Sequence, residues 1–331
     1  MVTKIGIVGA TGAVGSMFLS ILEEYKIDCD LRLFASSKSA GTKIRVFGKV
    51  HIVESLTDGC FKGLDYCLFS GGKEASLEYT RKATDEGVIV IDNSSAFRMT
   101  EGVPLVIPEC NIDLAYNSKL IANPNCSTTQ AVIPLKALFD AYGVLSVEYT
   151  TYQSVSGSGA QGVKDLIDTR NGYSSSFLPH NISETVIPEI DLFCEDGYTL
   201  EEHKMINETR KILNVDIPVS ATCVRVPIER GHVVQMKVAL DKETTVDKVR
   251  EILKTYPGLV LVDNPDKHEY PTTVMSRGND SVFVGRIRKD KVTKNAFLIY
   301  TASDNLRKGA ASNAIQIMMK IIEWRRVNES S

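Results

Sequence analysis

What this chain does not contain narrows it first. It has no Cys-x-x-Cys pair, and its seven cysteines are an odd number without clustered spacing. Neither a zinc ribbon nor a disulfide framework is therefore expected, and no metal site is predicted. No apolar run approaches the length that spans a bilayer, so no membrane partner is expected. No leader is expected before Met1-Val2-Thr3-Lys4, which should run straight into a strand. A reducing cytoplasm is the expected setting. Charge of neither sign dominates: the net charge is −3 over 331 residues with Lys and Arg scattered, which argues against a nucleic-acid or anionic-membrane surface. Internal repeats and low-complexity tracts are absent as well. What remains is an ordinary globular composition, long enough for two domains with a core each.

The first third alternates between strand and helix patterns. Lys4–Val8 reads as a buried strand, Gly9–Gly15 as a tight turn opening a helix to about Tyr25, and Leu31–Phe34 as a second strand. Cys67–Ser70 and Val88–Asp92 read as further strands, with a helix over Glu74–Gly87 between them. Such alternation predicts a parallel sheet with right-handed crossovers. From about Leu145 the texture changes, and Val147–Gln153 and His232–Leu240 alternate as strands with one face on a core. Asp168–Glu202 is irregular and rich in Ser, Asn and Pro, the texture of a long excursion that covers a partner subunit. Lys308–Arg326 carries a helical apolar stripe that should pack back on the first domain.

Gly9-x-x-Gly12-x-x-Gly15, directly after a strand and at a helix start, meets the mechanical need of a pyrophosphate site. Glycines let backbone approach the phosphates, and the helix start carries partial positive charge. After the second strand the acidic residue that usually holds ribose hydroxyls is missing. Ala35-Ser36-Ser37-Lys38-Ser39-Ala40-Gly41 stands there instead, and a lysine among hydroxyls suits a 2′-phosphate, so NADP is the expected cofactor. A solvated polar loop is the alternative at these positions.

Asn123-Pro124-Asn125-Cys126-Ser127-Thr128-Thr129-Gln130 sets one cysteine among small polar residues before an apolar-periodic run. Pro124 blocks helix before it, and Ser127 or Thr128 is the expected cap of the first turn. A thiol at a helix start is favoured as thiolate. A nicotinamide site with a nucleophilic cysteine implies aldehyde oxidation through a thioester, or its reverse from an activated acyl donor. His232 is the best base among five histidines. It shares strand parity with Val234, Met236 and Val238, so a satisfied core histidine is an equal reading of the sequence alone.

Six motifs occur in order: Gly-Ala-Thr-Gly-Ala-Val-Gly from Gly9, Asn93-Ser94-Ser95-Ala96-Phe97-Arg98, Asn123–Thr128, Gln153–Gly157, Arg225-Val226-Pro227-x-x-x-Gly231-His232 and Asp304-Asn305-Leu306-x-Lys308-Gly309-Ala310-Ala311. Together they resemble the aspartate-β-semialdehyde dehydrogenase family across essentially the whole chain. The resemblance implies an α/β protein: a Rossmann-type parallel sheet domain over 1–127 plus 308–331, with a second α+β catalytic and dimerisation domain over 128–307. It implies Cys126 as nucleophile, His232 as acid/base, Gln153 orienting the acyl intermediate and Asn125 supporting the oxyanion. Glu201 would contact a substrate ammonium, Arg98 and Lys204 a phosphate, and Arg225 an α-carboxylate, with Ser156 and Gly157 beside them. The cofactor would meet Gly9, Thr11, Gly12, Ala13, Val14 and Gly15, then Ser36, Ser37, Lys38 and Ser39, and finally Gly72, Gly159 and Asn305. Lys38 replaces the family's more usual arginine, which keeps the charge but loses the fork.

The implied reaction is NADPH-dependent reductive dephosphorylation of aspartyl phosphate to aspartate-semialdehyde and phosphate, in lysine, threonine and methionine biosynthesis, by a homodimer or higher homo-oligomer. N-acetyl-glutamyl-phosphate reductase is the nearest enzymatic rival, but its glycine-cysteine-tyrosine context is absent. A malonyl-type acyl-CoA reductase is a second rival, and a silent NADP-binding regulator a third.

Overall fold

The computed structural model describes residues 2–328; residue 1 and residues 329–331 of the spans expected above lie outside the described residues. It comprises two compact units, Met1–Pro124 with Ala310–Ser331 and Asn125–Gly309.

The first unit is built on a parallel sheet ordered Glu54–Ser55, Cys29–Ala35, Thr3–Val8, Tyr66–Phe69, Ile89–Asp92, Leu120–Ala122. Tyr66–Phe69 and Ile89–Asp92 are buried along their whole length, as strands covered on both faces are. The chain builds outward from Thr3–Val8 to one side, then crosses to Tyr66–Phe69 on the other. Such a reversal opens a crevice at the carboxyl ends of the two central strands. Helix Ala13–Glu24 follows the first strand and Lys73–Asp85 the fourth, Tyr66–Phe69. The last helix, Ser312–Asn328, buries Ala314, Ile315, Ile317, Met318 and Ile321 in the core that holds Ile5, Ile7 and Phe18. Its α-helical part starts later than the pattern from Lys308 suggests, because a π-turn occupies Arg307–Ala311.

The second unit carries a mixed six-stranded sheet ordered Val219–Arg225, Val144–Gln153, His232–Leu240, Ala296–Ser303, Val282–Lys289, Leu259–Leu261. Helices Cys126–Tyr142 and Leu200–Leu213 pack on this sheet and on each other. The sequence pattern suggested one buried face for the first of these. In fact every residue from Ser127 to Leu135 is buried. Small polar side chains make this possible by bonding inward: Thr129 Oγ1 donates to the Asn125 carbonyl at 3.0 Å and Gln130 Nε2 to Thr301 Oγ1 at 3.0 Å. The irregular excursion is shorter than expected, since helix Gly159–Arg170 precedes it and Leu200–Leu213 follows it.

Candidate active site

Helix Cys126–Tyr142 begins at the cysteine itself. Its cap is Asn125, not the hydroxyls of Ser127 or Thr128. Asn125 Oδ1 accepts the amides of Ser127 at 2.9 Å and Thr128 at 3.3 Å, and a carboxamide one residue before the helix reaches those donors better than hydroxyls already inside the turn. The Asn125 amide donates to Glu208 Oε2 at 2.7 Å, so the approach to the helix is pinned from a neighbouring one. Asn125 and Ser127 are buried, whereas Cys126 between them is half-buried. Gly309 makes that placement possible: a Cβ there would stand 2.8 Å from Cys126 Cβ and 3.2 Å from its Cα.

Glu201 gathers the polar residues around this helix start. Its Oε1 accepts Asn125 Nδ2 at 2.8 Å and Gln153 Nε2 at 2.9 Å, and its Oε2 accepts Lys204 Nζ at 3.1 Å. Burial alone would raise this carboxyl, but Lys204 and the two amides outweigh it and hold the pKa down at about 2. A carboxylate has about four acceptor positions; three are used, and the open one is on Oε2. Lys204 also donates to Asp191 Oδ2 at 2.7 Å, which leaves one of its three N–H groups uncommitted.

The strand after Gln153 links this cluster to the imidazole. The Ser154 amide donates to His232 Nδ1 at 3.0 Å, and the Ser154 hydroxyl lies 3.0 Å from the same atom. An amide only donates, so Nδ1 is an acceptor and the proton of the neutral ring is on Nε2. Burial, helped by the charge of Arg225, pulls the His232 pKa down to about 3. His232 is thus a neutral donor here, not an imidazolium. The Ser154 carbonyl accepts Arg225 Nη1 at 2.8 Å. Burial lowers the Arg225 pKa against the opposing influence of Glu201, Cys126 and Cys223. His232 Nε2 and Arg225 Nε are both buried without a hydrogen-bond partner. Gly157, exposed on a short 3-10 turn, lies over both: a Cβ there would be 3.0 Å from Arg225 Nη1 and 3.2 Å from His232 Nε2. Asn305 fixes the same turn, its Oδ1 accepting the Gly231 amide at 2.9 Å and its Nδ2 donating to Ser156 Oγ at 3.0 Å.

In the first unit, a cleft of about 540 Å³ opens at the carboxyl ends of the central strands. Gly9, Thr11, Gly12, Ser36 and Ser37 line it. Gly9 has φ +82°, and a Cβ on it would stand 2.7 Å from the Ser70 carbonyl, so the turn is one only glycine builds readily. This cradle fits the pyrophosphate of a dinucleotide. Of the other expected residues, Ala13, Val14 and Gly15 form the first turn of the helix, where a Gly15 Cβ would collide with the Gly9 carbonyl. Gly72 caps the helix Lys73–Asp85 with φ +90°. Lys38 is exposed and Ser39 half-buried on the turn beyond Ser37, outside the cleft lining. Arg98 is buried in the same unit, donating from Nε to the Asn123 carbonyl at 2.9 Å and from Nη2 to the Asn93 carbonyl at 2.8 Å. The second unit therefore assembles Cys126, Asn125, Gln153, Ser156, Gly157, Glu201, Lys204, Arg225, His232 and Asn305, together with Gly159, whose φ of +73° opens a helix. Sequence reasoning gave no role to Ser154, Asp191 or Glu208. Ser154 at least stood inside a quoted motif.

A dinucleotide cradle in one unit, and in the other a thiol at a helix start with buried imidazole and guanidinium, are the parts of a nicotinamide-dependent dehydrogenase. Comparison with known proteins refines that class. Residues 4–117 match the semialdehyde dehydrogenase NAD-binding domain and residues 135–308 the semialdehyde dehydrogenase dimerisation domain. An aspartate-semialdehyde dehydrogenase of Aquifex aeolicus is 45% identical over 97% of this chain and 98% of its own length, and one of Bacillus subtilis is 43% identical over 95% of each. The crystal structure of aspartate-semialdehyde dehydrogenase II from Vibrio cholerae superposes with a TM-score of 0.93 at 38% identity, covering 98% of this chain and 99% of that one. That enzyme complexed with ASA matches equally well. The chain belongs to the aspartate-semialdehyde dehydrogenase family.

Proposed function

We propose that this chain catalyses the NADPH-dependent reductive dephosphorylation of L-aspartyl-4-phosphate to L-aspartate-4-semialdehyde and phosphate, and the reverse reaction, serving lysine, threonine and methionine biosynthesis in the cytoplasm. The observation that carries this reading is the pair of buried donors without a hydrogen-bond partner, His232 Nε2 and Arg225 Nε, on two side chains that both come up to Gly157, the imidazole through Nε2 and the guanidinium through Nη1. Buried donors without partners cost about 1–3 kcal/mol each unless a ligand satisfies them, and a substrate carboxylate and a developing oxyanion are such ligands.

Cys126 attacks the acyl carbon as thiolate, the bond from that carbon to the phosphate oxygen breaks, and an enzyme thioester remains. Arg225 binds the α-carboxylate, and the open acceptor position on Glu201 Oε2 takes the ammonium. Lys204, with Arg98, holds the leaving phosphate. Gln153 and Asn125, locked on Glu201, orient the acyl group and steady the oxyanion. Bound NADPH supplies the hydride that reduces the acyl carbon, with Gly9, Thr11, Gly12 and the Ser36–Ser39 turn as its phosphate and ribose contacts. His232 keeps its Nε2 proton and donates it as a hydrogen bond to the developing oxyanion. Cys126 leaves the collapsing adduct as thiolate ready for the next turnover, and the proton that the reaction consumes passes from solvent to the released phosphate.

The preference for the 2′-phosphorylated cofactor rests on the missing acid and on Lys38. We assign the first unit to the cofactor and the second to catalysis and dimer formation. None of the seven cysteines is joined in a disulfide, in keeping with a reducing compartment, and no helix among the described residues is long and apolar enough to cross a membrane.

Phosphate-dependent reduction of NADP by aspartate-semialdehyde tests the reading directly. Cys126→Ser should retain NADP binding and lose turnover by several orders of magnitude, because an alkoxide is hard to form at neutral pH. Activity with N-acetyl-glutamate-semialdehyde in its place, or substantial turnover by Cys126→Ser, would reject it.

A further inference from the structure

Outside this site, one cluster of ligating side chains among the described residues is left unused by the reaction. Cys194, Asp196 and His203 bring a thiol, a carboxylate oxygen and an imidazole nitrogen within 4.8 Å of one another. The thiol and carboxylate sit on a tight turn: the Cys194 amide donates to the Tyr198 carbonyl at 2.7 Å, the Gly197 amide to the Cys194 carbonyl at 3.1 Å, and the Tyr198 amide to Asp196 Oδ1 at 3.1 Å. Gly197, at φ +84°, lets the chain reverse there. The imidazole comes from the first turn of helix Leu200–Leu213, which is fixed to the turn by a reciprocal Thr199–Glu202 cap. Two independently braced elements thus present the three groups.

We propose that Cys194, Asp196 and His203 form a binding site for a zinc-class divalent cation, with water as fourth ligand, that clamps the 191–199 segment to helix Leu200–Leu213. The geometry suits such an ion. Two ligands about 2.0–2.1 Å from zinc at a tetrahedral angle stand roughly 3.3 Å apart, and His203 Nε2 lies 3.1 Å from Asp196 Oδ2 and 3.3 Å from Oδ1. The sulfur lies within 4.8 Å of both groups and would close the other two edges by moving inward to the roughly 3.6 Å that a zinc–sulfur bond of about 2.3 Å requires. A thiolate, imidazole and carboxylate set selects zinc or cobalt over magnesium or calcium, which favour oxygen alone. An ordinary surface His–Asp pair would have no use for the thiol. All three groups are at least partly open to solvent, so an ion can enter. The clamp would brace the segment that carries Asp191, the partner of Lys204, and so acts on the candidate active site only through that pair. The inference is independent of the reaction proposed above.

Its test uses the full-length Cys126→Ser protein, so that the nucleophile cannot take the metal. Titration with cobalt(II) should give one equivalent bound, with a sulfur-to-cobalt charge-transfer band and tetrahedral visible bands. Adding Cys194→Ser should abolish the charge-transfer band, and adding His203→Gln should weaken binding at least ten-fold. Both double variants should melt like the parent in chelator. In the unsubstituted protein, zinc should slow alkylation of Cys194 as read by peptide mapping, a measurement that needs no variant. Unchanged cobalt spectra in Cys194→Ser, or alkylation of Cys194 indifferent to zinc, would overturn the proposal.

Discussion

Gly157→Ala is the sharpest perturbation available, because the added methyl falls between the two groups assigned to the substrate. It would lie 3.0 Å from Arg225 Nη1, 3.2 Å from His232 Nε2 and 3.4 Å from its Cε1. Neither neighbour yields freely: Nη1 is held by the Ser154 carbonyl at 2.8 Å and the imidazole by the Ser154 amide at 3.0 Å. Gly157 does not occupy the left-handed region, so alanine is conformationally acceptable there, and the reduced freedom of the unfolded chain contributes about 0.4–1 kcal/mol of stability. Set against that gain, the close contacts with two braced neighbours cost about 1–3 kcal/mol, so a modest loss of stability is expected while the methyl covers the Nε2 proton. Losing one hydrogen bond to a charged or developing-charge group costs about 1.5–3 kcal/mol, a fall of roughly 10- to 150-fold in kcat/KM for aspartate-semialdehyde. Initial rates in the phosphorylating direction, with NADP affinity by fluorescence titration and a thermal melt, separate the possibilities. A kcat/KM within about two-fold of the parent in a folded protein of equal NADP affinity would show that the acyl group does not sit on this face, and the roles given to His232 and Arg225 would fall with it.

Asp191→Asn should lower the KM for phosphate by a few-fold, because it removes the carboxylate that competes for Lys204 at 2.7 Å; the pair is partly exposed and contributes up to about 1 kcal/mol. An unchanged or higher KM in phosphate-dependence kinetics would count against Lys204 as a phosphate contact. Gly12→Ala should raise the NADP dissociation constant about ten-fold, since its Cβ would enter the nucleotide cleft only 3.3 Å from the Gly9 carbonyl, where backbone must approach phosphate. Calorimetric titration reads it, and full NADP affinity would remove Gly12 from the phosphate cradle. Acid should destabilise the protein in two overlapping windows. His232 sits at about 3 against an ordinary 6.5, so the unfolded chain binds the extra proton first and stability falls as pH drops from about 6.5 to 3. Glu201 sits at about 2 against 4.5, so its contribution, on the order of 3 kcal/mol, is complete above about pH 4.5 and lost as pH falls toward 2. Urea unfolding of His232→Gln and Glu201→Gln across pH should flatten the corresponding window in each; parallel curves for variant and parent would refute the assignments.

What could be read from sequence was what short stretches specify by themselves. Gly9–Gly15 after an apolar strand is legible because the turn and the phosphate cradle are the same seven residues. Cys126 is legible because Pro124 and the small polar run announce a helix start around a thiol. The cap was misassigned because Asn125 and the hydroxyls after it all have the right chemistry, and only backbone direction decides between them. The even choice over His232 has a similar origin. Strand parity places its ring in the interior, and whether that interior holds a partner depends on Ser154, which is 78 residues away and donates through its backbone amide. Any residue but proline offers that amide, so side-chain identity carries no trace of it.

The same reasoning explains why the ion pairs escaped notice and what they change. The family resemblance implies Lys204 as a phosphate cation, yet the folded chain gives it two carboxylates, Glu201 three residues before it and Asp191 thirteen. A phosphate arriving there meets one lysine positive charge against two negative ones. Burial of Glu201 strengthens that opposition, because a low dielectric magnifies every charge around it, while Asn125 and Gln153 keep the carboxylate from protonating to escape it. If Lys204 and Glu201 take the proposed roles, phosphate should gain a hold on Lys204 only as the substrate ammonium occupies the open side of Glu201, which offsets one of the two carboxylates. Binding of the amino acid and of phosphate should then be mutually reinforcing. In the phosphorylating direction this predicts a KM for phosphate that falls as aspartate-semialdehyde rises toward saturation. Strictly independent KM values in a two-substrate kinetic grid would mean that the ammonium does not reach Glu201.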